Sequence, residues 1–171
     1  MAALSAGSTM IPQTSEYALR AVVHLAARED ADPLSAQEIS DAVRAPVGYL
    51  QKILRMLARD GILLAQRGSK GGFSLAKVPT AISVLDVLRA SDTAVARIER
   101  CPLGIKGHTS LCSLHKLLDE QLAHAERTFA STTIADLLDG DGGVRPLCGR
   151  SGRIPLGVVV SAAAPKNPKG Q

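Results

Sequence analysis

The sequence is poor in aromatic residues, which make up 2% of its 171 residues, and it contains no tryptophan. A core must therefore be built from leucine, valine, isoleucine and alanine, and this favours packed helices over an aromatic-rich β-sandwich. Since 46% of the residues are hydrophobic, the chain has enough apolar material for one domain of ordinary size plus a tail.

Cysteines and long apolar runs are scarce as well. The three cysteines, Cys101, Cys112 and Cys148, are odd in number and widely spaced, which is not typical of a disulfide framework. The first ten residues lack the basic start and long apolar run of a secretory signal. The apolar stretch 154–164 is far shorter than the roughly 20 residues that a membrane helix needs. These absences predict a soluble, cytoplasmic protein with free thiols and no membrane partner.

Positive charge, in contrast, is concentrated in one segment. The chain carries a net charge of +4, and residues 46–70 hold five cations against one carboxylate, which also amounts to +4. The remainder is neutral on balance. A positive field focused on so short a segment indicates a polyanionic partner.

Three helices are predicted in the first sixty residues. Apolar residues at helical spacing predict the first helix over about 15–28. Ser35 begins the second with a capping box that includes Glu38, and Pro46 begins the third, which ends at Gly61. Two helices with a short link, followed by a basic third helix, fit a helix-turn-helix.

A β-hairpin is predicted directly after the third helix. Strands over 62–66 and 73–76 are joined by the glycine-rich run 68–72. A hairpin added to a helix-turn-helix makes a winged helix. The fold class is therefore mainly α, a winged helix-turn-helix with a small β-hairpin wing and a long dimerisation helix.

Further helices follow the hairpin, over about 80–90, from about Ser110, and over 132–138. The long helix carries an apolar stripe that a winged-helix domain has little room to bury, and we assign it to a homodimer interface. The stripe consists of Leu111, Leu114, Leu118, Leu122, Ala125 and Phe129.

Polar residues of the third helix predict contact with double-stranded DNA. Its exposed face carries Tyr49, Gln51, Lys52 and Arg55, in which glutamine suits adenine and lysine suits guanine or phosphate in a major groove. At the wing tip, cations suit phosphates or a narrow minor groove. A basic face alone is more often simply solvated, but its combination with the capping box, the glycine stop and the hairpin favours DNA binding. For Tyr49, the sequence favours two roles equally: contact with DNA, or packing of its ring on the edge of the core.

These same stretches resemble a known family. The runs "SEYALRAVVHLA", "LSAQEISDAVRAPVGYLQKILRMLARDGIL" and "RGSKGGFSLA" are similar to the winged-helix regulators typified by the iron–sulfur cluster regulator IscR and the nitric-oxide-sensing repressor NsrR, over residues 10–138. The resemblance implies a dimeric repressor that binds pseudo-palindromic operators with Arg67 in the minor groove. The predicted DNA-binding residues are Val47, Gly48, Tyr49, Gln51, Lys52, Arg55, Arg67, Ser69 and Lys70.

The resemblance also implies a sensor for redox, nitric oxide or iron–sulfur status, with an iron–sulfur cluster of the 2Fe-2S or 4Fe-4S type. In "CPLGIKGHTSLCSLH", Cys101 matches the first cysteine of the family, and Cys112 and His115 match its final Cys-x-x-His. The middle cysteine is missing, which leaves the site one ligand short. The candidates for that ligand are Glu16 from the first helix of the partner subunit, His108 and Cys148.

Other interpretations of these residues stay open. Cys101 and Cys112 are a potential disulfide pair for direct thiol sensing, or Cys112 is a small buried hydrophobe. The winged helix itself has the alternative of a cofactor-free regulator or a module for protein contacts. No nucleophile with a base and an orienting group is recognisable, so we predict that the chain is not an enzyme.

The predicted division of the chain follows from these assignments. It comprises a flexible leader (1–12), a winged-helix DNA-binding domain (13–90), a sensor loop with the dimerisation helix (91–138), and a tail expected to be disordered (139–171).

Overall fold

The architecture is a series of helices interrupted by one β-hairpin. A computed structural model describes residues 11–28, 30–68, 71–93, 97–102 and 110–139. Its elements are α1 (Gln13–Ala26), α2 (Ala36–Val43), α3 (Val47–Arg59), β1 (Leu63–Gln66), β2 (Gly72–Leu75), a 3₁₀ turn (Pro79–Ala81), α4 (Val84–Ala90), α5 (Ser113–Ser131) and α6 (Ile134–Leu138). The mainly helical winged-helix arrangement that the sequence predicts is confirmed.

The hydrophobic core lies where α1 packs against α2, α3 and α4. The apolar face of α3 is almost entirely inaccessible to solvent, with Leu50, Ile53, Leu54 and Leu57 each at most 1% exposed. From α1, the small side chains of Ala18 and Ala21 are fully buried. This packing leaves the opposite face of α3 free to carry polar residues.

The ends of α2 and α3 are set by local chemistry. The Ser35 hydroxyl accepts from the Glu38 amide at 3.2 Å and the Glu38 carboxylate accepts from the Ser35 amide at 2.8 Å, so the predicted capping box is confirmed. Gly61, with a φ of +71°, follows the end of α3 as predicted. Pro46 is the N-cap of α3 and not its first helical residue, since its backbone is extended.

The wing hairpin is attached to the segment that precedes α2. β1 and β2 pair antiparallel, with Leu63 opposite Leu75. Phe73 exchanges two backbone hydrogen bonds with Leu34, at 2.7 and 3.0 Å. At Gly72, a Cβ atom would come within 2.5 Å of the Leu34 carbonyl carbon. The structure therefore requires a glycine at this position for close approach to the chain's own backbone.

The C-terminal helix returns to the core through a second short pairing. The Val84 amide donates to Thr132 O and the Ile134 amide donates to Ile82 O, both at 2.9 Å. Helix α6 packs against α1, and Ile134 is fully buried in the core. The two residues that lie opposite each other in this pairing also cap helices, since Ser83 caps α4 and Thr133 caps α6. Helix α5 is thus tied at its C-terminal end to the core that α1 and α4 help to form.

Several predicted boundaries differ from the structure. Helix α1 begins two residues earlier than expected and ends at Ala26. The helix expected over 80–90 is divided, because Ile82 is extended and the Ser83 capping box starts α4 at Val84. Helix α5 begins at Ser113, so Leu111 of the predicted stripe lies outside it.

Some predictions fall on residues outside the described part of the chain. These are the leader up to residue 10, the tail from residue 140 with Cys148, the wing-tip residues Ser69 and Lys70, and His108. Among the described helices, none is long and apolar enough to cross a membrane.

Candidate nucleic-acid interface and ligand site

The polar face of α3 is exposed, as its sequence pattern predicts. Gly48, Tyr49, Gln51, Lys52 and Arg55 are all exposed, and Val47 at the start of the helix is half-buried. The burial of the opposite face against α1 holds these side chains on one side of the helix. The structure therefore brings the predicted recognition residues of α3 together on one surface.

Tyr49 packs at the edge of the core, as one of its two predicted roles requires, and it is also partly exposed. Its ring lies edge-on to the ring of Tyr17, with centroids 6.1 Å apart and an interplanar angle of 76°. Its hydroxyl is hydrogen-bonded to the Thr14 hydroxyl. Even so, 40% of Tyr49 is exposed. The side chain is thus anchored to α1 while part of it remains on the α3 surface.

The cations of the basic segment are not equivalent. Arg59 Nε donates to Asp60 Oδ1 at 2.9 Å, so this arginine is paired within its own helix end. Within the described residues, Lys52, Arg55 and Arg67 are exposed and take part in no ion pair. Arg67 directly follows β1, next to Gly68, whose φ is +111°. Among the described cations of residues 46–70, these three are therefore available to a polyanion.

Two thiols and one imidazole lie together at the amino end of α5. Cys112 is the N-cap of α5 and His115 is three residues later, so both lie at the first turn of this helix. His115 Nδ1 is 3.2 Å from Cys112 Sγ and 3.6 Å from Cys101 Sγ. The three ligating atoms are all within 4.8 Å of one another, and the three residues are half-buried. The structure thus brings together the three residues that the sequence singled out.

The donor set fits a thiolate-bound metal centre. Neighbouring donors on one tetrahedral zinc would be about 3.5–3.8 Å apart, given Zn–S of about 2.3 Å and Zn–N of about 2.0 Å, and the two sulfur–nitrogen separations are close to that. Two sulfurs and an imidazole also suit iron–sulfur chemistry better than magnesium or calcium.

Glu16 is not part of this group within one chain. Its carboxylate is paired with Arg20, one turn along α1. The Arg20 guanidinium also lies over the Tyr17 ring, 5.9 Å from its centroid. The prediction assigns Glu16 to the ligand site of a second copy of the chain. The structure describes a single copy, so the ligand role of Glu16 stays a prediction.

An ion pair not predicted from the sequence connects the Cys101 segment to α5. Arg97 Nε donates to Asp119 Oδ1 at 2.7 Å, and Arg97 Nη2 donates to Asp119 Oδ2 at 2.5 Å. The Ile98 amide donates to Asp119 Oδ1 at 2.9 Å. These hydrogen bonds, that of Arg97 first, lower the pKa of Asp119 to about 2. Residues 22 positions apart follow no helical or strand spacing. The only sequence signal for this pair is the opposite charge of Arg97 in the predicted loop and Asp119 in the predicted helix.

The outer face of α5 is apolar and uncovered. Leu114, Leu117 and Leu118 are 60%, 54% and 44% exposed, and only Ala123 is buried among the residues of this helix. From the predicted stripe, Leu122, Ala125 and Phe129 are half-buried, while Leu117 was not predicted. A helix with so little buried surface depends on packing against something further.

Comparison with known proteins identifies the family. The family model described as "Rrf2: Iron-dependent Transcriptional regulator" matches residues 11–140. The chain is a member of the Rrf2 family. This confirms the resemblance found in the sequence.

Relatives and solved structures agree with this membership. The HTH-type transcriptional regulator NsrR of Geobacillus kaustophilus is 30% identical over 140 residues, which span 78% of this chain and 92% of the relative. CymR, the global cysteine regulator of B. subtilis, shares the fold with a TM-score of 0.64 at 22% identity, over 76% of this chain and 96% of that one. IscR of T. potens has a TM-score of 0.63 at 22% identity, over 77% and 88%.

Membership of the Rrf2 family settles the general function. The chain is an HTH-type, DNA-binding transcriptional regulator and not an enzyme. The Rrf2 family is described as iron-dependent, which is consistent with a Cys/Cys/His group in this member.

Proposed function

We propose that this Rrf2 protein is a homodimeric transcriptional repressor that releases or binds its operator according to redox, nitric oxide or iron–sulfur status. The observation that carries the proposal is the exposure of Lys52, Arg55 and Arg67 without ion-pair partners among the described residues, in a chain that also gathers two thiols and an imidazole.

The α3 helix supplies the sequence-reading contacts. Its exposed residues enter the major groove, where Gln51 pairs with adenine and Lys52 meets guanine or phosphate. The wing, with Arg67, follows the flanking phosphates or a narrow minor groove. The full set is Val47, Gly48, Tyr49, Gln51, Lys52, Arg55, Arg67, Ser69 and Lys70. Arg59 is not included, since Asp60 already neutralises it.

A second copy of the chain covers the outer face of α5. The exposed leucines at positions 114, 117 and 118 follow the i, i+3, i+4 spacing of a helix-packing stripe. Two copies packed along this stripe are related by a two-fold axis and present two α3 helices. A two-fold dimer matches a palindromic operator with half-sites about one helical turn apart.

Cys101, Cys112 and His115 hold an iron–sulfur cluster or a single thiolate-bound metal ion. Glu16 from the second copy completes the ligand set. A bound cluster supplies the redox or nitric-oxide chemistry, and the residues of the chain position it at the first turn of α5. Because α5 also carries the dimer face, a change at its amino end alters the angle between the two α3 helices and hence the fit to the half-sites.

A cofactor-free sensor is the second candidate, and the missing middle cysteine favours it. Cys101 Sγ and Cys112 Sγ lie within 4.8 Å of one another. In this mechanism the two thiols form a disulfide and give up two protons and two electrons to an oxidant such as a peroxide.

The test begins with anaerobic purification, a visible absorption spectrum and metal analysis. Selection of the operator from random duplexes and measurement of the mass in solution follow on the same sample. We expect visible absorption or stoichiometric metal, a dimer, and a palindromic operator. Cys112→Ala should abolish the response to the signal while the DNA-binding half stays folded. A monomer, or a colourless, metal-free protein whose DNA binding ignores both oxidants and nitric oxide, would contradict the proposal.

A further inference from the structure

The segment that carries Cys101 is held on α5 at two separate points. One is Asp119, which accepts from Arg97 Nε and Nη2 and from the Ile98 amide at 2.5–2.9 Å. The other is the contact between Cys101 Sγ and His115 Nδ1, at 3.6 Å. Between these points, the described segment 97–102 contains no helix or strand that would fix its shape.

The two points are four residues apart in sequence on both elements. His115 and Asp119 are four residues apart on α5 and so lie on the same face, one turn from each other. Arg97 and Cys101 are also four residues apart on the segment. The carboxylate therefore sets the position of the segment along α5, and with it the position of the Cys101 sulfur.

The three hydrogen bonds are made on a largely covered carboxylate. The Asp119 side chain is 13% exposed, whereas that of Arg97 is 49% exposed. Removing these donors would cost the carboxylate three hydrogen bonds at a position with little access to water. A bidentate arginine–carboxylate pair also fixes geometry as well as distance. The pair is thus suited to hold a segment in one position.

We infer that Asp119 is the positioning residue of the Cys101–Cys112–His115 site, and that it holds Cys101 at ligating distance before any ligand binds. The inference rests on the proposed function in assuming that this site takes a metal or cluster. The Asp119 carboxylate itself donates no ligand atom and acts through Arg97 and Ile98. Groups that orient ligands in this way typically change metal affinity by about 10–100-fold when they are altered.

The test is a titration of the metal-free, full-length protein with Co²⁺ under anaerobic conditions, followed by the thiolate-to-cobalt absorption. Asp119→Asn should lower the Co²⁺ affinity by about 10–100-fold. The matched control is Glu126→Gln, which removes another α5 carboxylate that pairs with an arginine, Arg89 at 3.0 Å, but makes no hydrogen bond to the described residues of the Cys101 segment. The control should change the affinity less than about twofold.

Thermal unfolding of the metal-free proteins separates positioning from folding. We expect Asp119→Asn to unfold at a lower temperature than Glu126→Gln, because it loses the hydrogen bonds from Arg97 and Ile98, so the Co²⁺ affinities are compared at a temperature at which both proteins are folded. If Asp119→Asn fails to fold, Arg97→Gln tests the same pair from its exposed side. Equal Co²⁺ affinities for the Asp119→Asn and Glu126→Gln proteins would overturn the inference.

A measurement without metal keeps the inference testable if the proposed ligand function fails. In a Cys148→Ser background, diamide takes the two thiol hydrogens of Cys101 and Cys112 and leaves one disulfide. Asp119→Asn should slow this reaction by about tenfold, since the two thiols are no longer held together. An unchanged rate would overturn the positioning role. If the parent binds Co²⁺ no better than Cys112→Ser, the ligand function fails while the diamide rate still decides the role of Asp119.

Discussion

Replacing Arg67 with alanine should change the salt dependence of DNA binding in a way that the structure makes quantitative. Arg67 is exposed and, among the described residues, takes part in no ion pair, whereas Arg59 is paired with Asp60 at 2.9 Å. Each cation that neutralises a phosphate adds about −0.9 to the slope of log affinity against log salt concentration. In the proposed dimer, Arg67→Ala removes two such contacts, so the slope should become shallower by about 1.8.

The expected difference is large enough to measure. Because the slope is shallower by about 1.8, raising the salt from about 50 to about 200 mM weakens DNA binding by Arg67→Ala about tenfold less than it weakens DNA binding by the parent. The assay is fluorescence anisotropy with the selected operator duplex at several concentrations of KCl. The control is Arg59→Ala, which removes a cation already neutralised by Asp60 and should leave the slope nearly unchanged.

Three checks make the result decisive. The mass in solution must show that both variants remain dimers, and their unfolding curves must match that of the parent. A second duplex without the operator sequence tests the same contact, because phosphate neutralisation does not depend on base sequence. Equal slopes for the Arg67→Ala and Arg59→Ala proteins would refute the assignment of the wing to phosphates.

Two further predictions concern stability. Ile134→Ala should lower the free energy of unfolding by about 2–5 kcal/mol in urea denaturation, because Ile134 is fully buried. The control Val78→Ala, at a residue that is 63% exposed, should change this free energy little. A loss below about 0.5 kcal/mol for Ile134→Ala would contradict the packing of α6 in the core. The hydrogen bonds from Arg97 and Ile98 lower the pKa of Asp119 from 3.8 to about 2, so their contribution is complete above pH 3.8 and is lost as the pH falls towards 2. In Asp119→Asn, the urea midpoint should therefore depend less on pH between 3.8 and about 2 than it does in the parent. An equal dependence of the midpoint on pH in the two proteins would contradict this prediction.

The helices of the DNA-binding half were predictable because their signals are local. The Ser35–Glu38 capping box and the glycine that follows α3 act within a few residues of the chain. The apolar residues of α3, Leu50, Ile53, Leu54 and Leu57, repeat at helical spacing, and all four are buried. Such features depend on the backbone geometry of one element and need no knowledge of its neighbours.

The prediction from local signals was less complete where a second element contributes. Gly72 reads as a wing-tip glycine, but its lack of a side chain is required by Leu34, 38 positions earlier. Leu117 was not in the predicted dimer stripe, because the stripe was drawn from spacing alone and its tilt depends on how α5 packs against α4.

The candidate ligand site shows the same division. The Cys-x-x-His spacing and the resemblance placed Cys112 and His115 together and added Cys101. Neither indicated what holds Cys101 in place, since Arg97 and Asp119 become neighbours only when the chain doubles back onto α5.

By itself, the sequence of this chain determined the winged-helix class, the family, the capped helix ends and the basic face of α3. The family follows from the resemblance of the quoted runs, whereas the other features depend on composition and on interactions between residues close in sequence, which act before the chain has folded. Only the tertiary structure decided that Tyr49 is anchored to α1, that α6 returns to the core and that Asp119 holds the Cys101 segment. Such contacts follow from distances and burial, and these quantities exist only once the elements have packed.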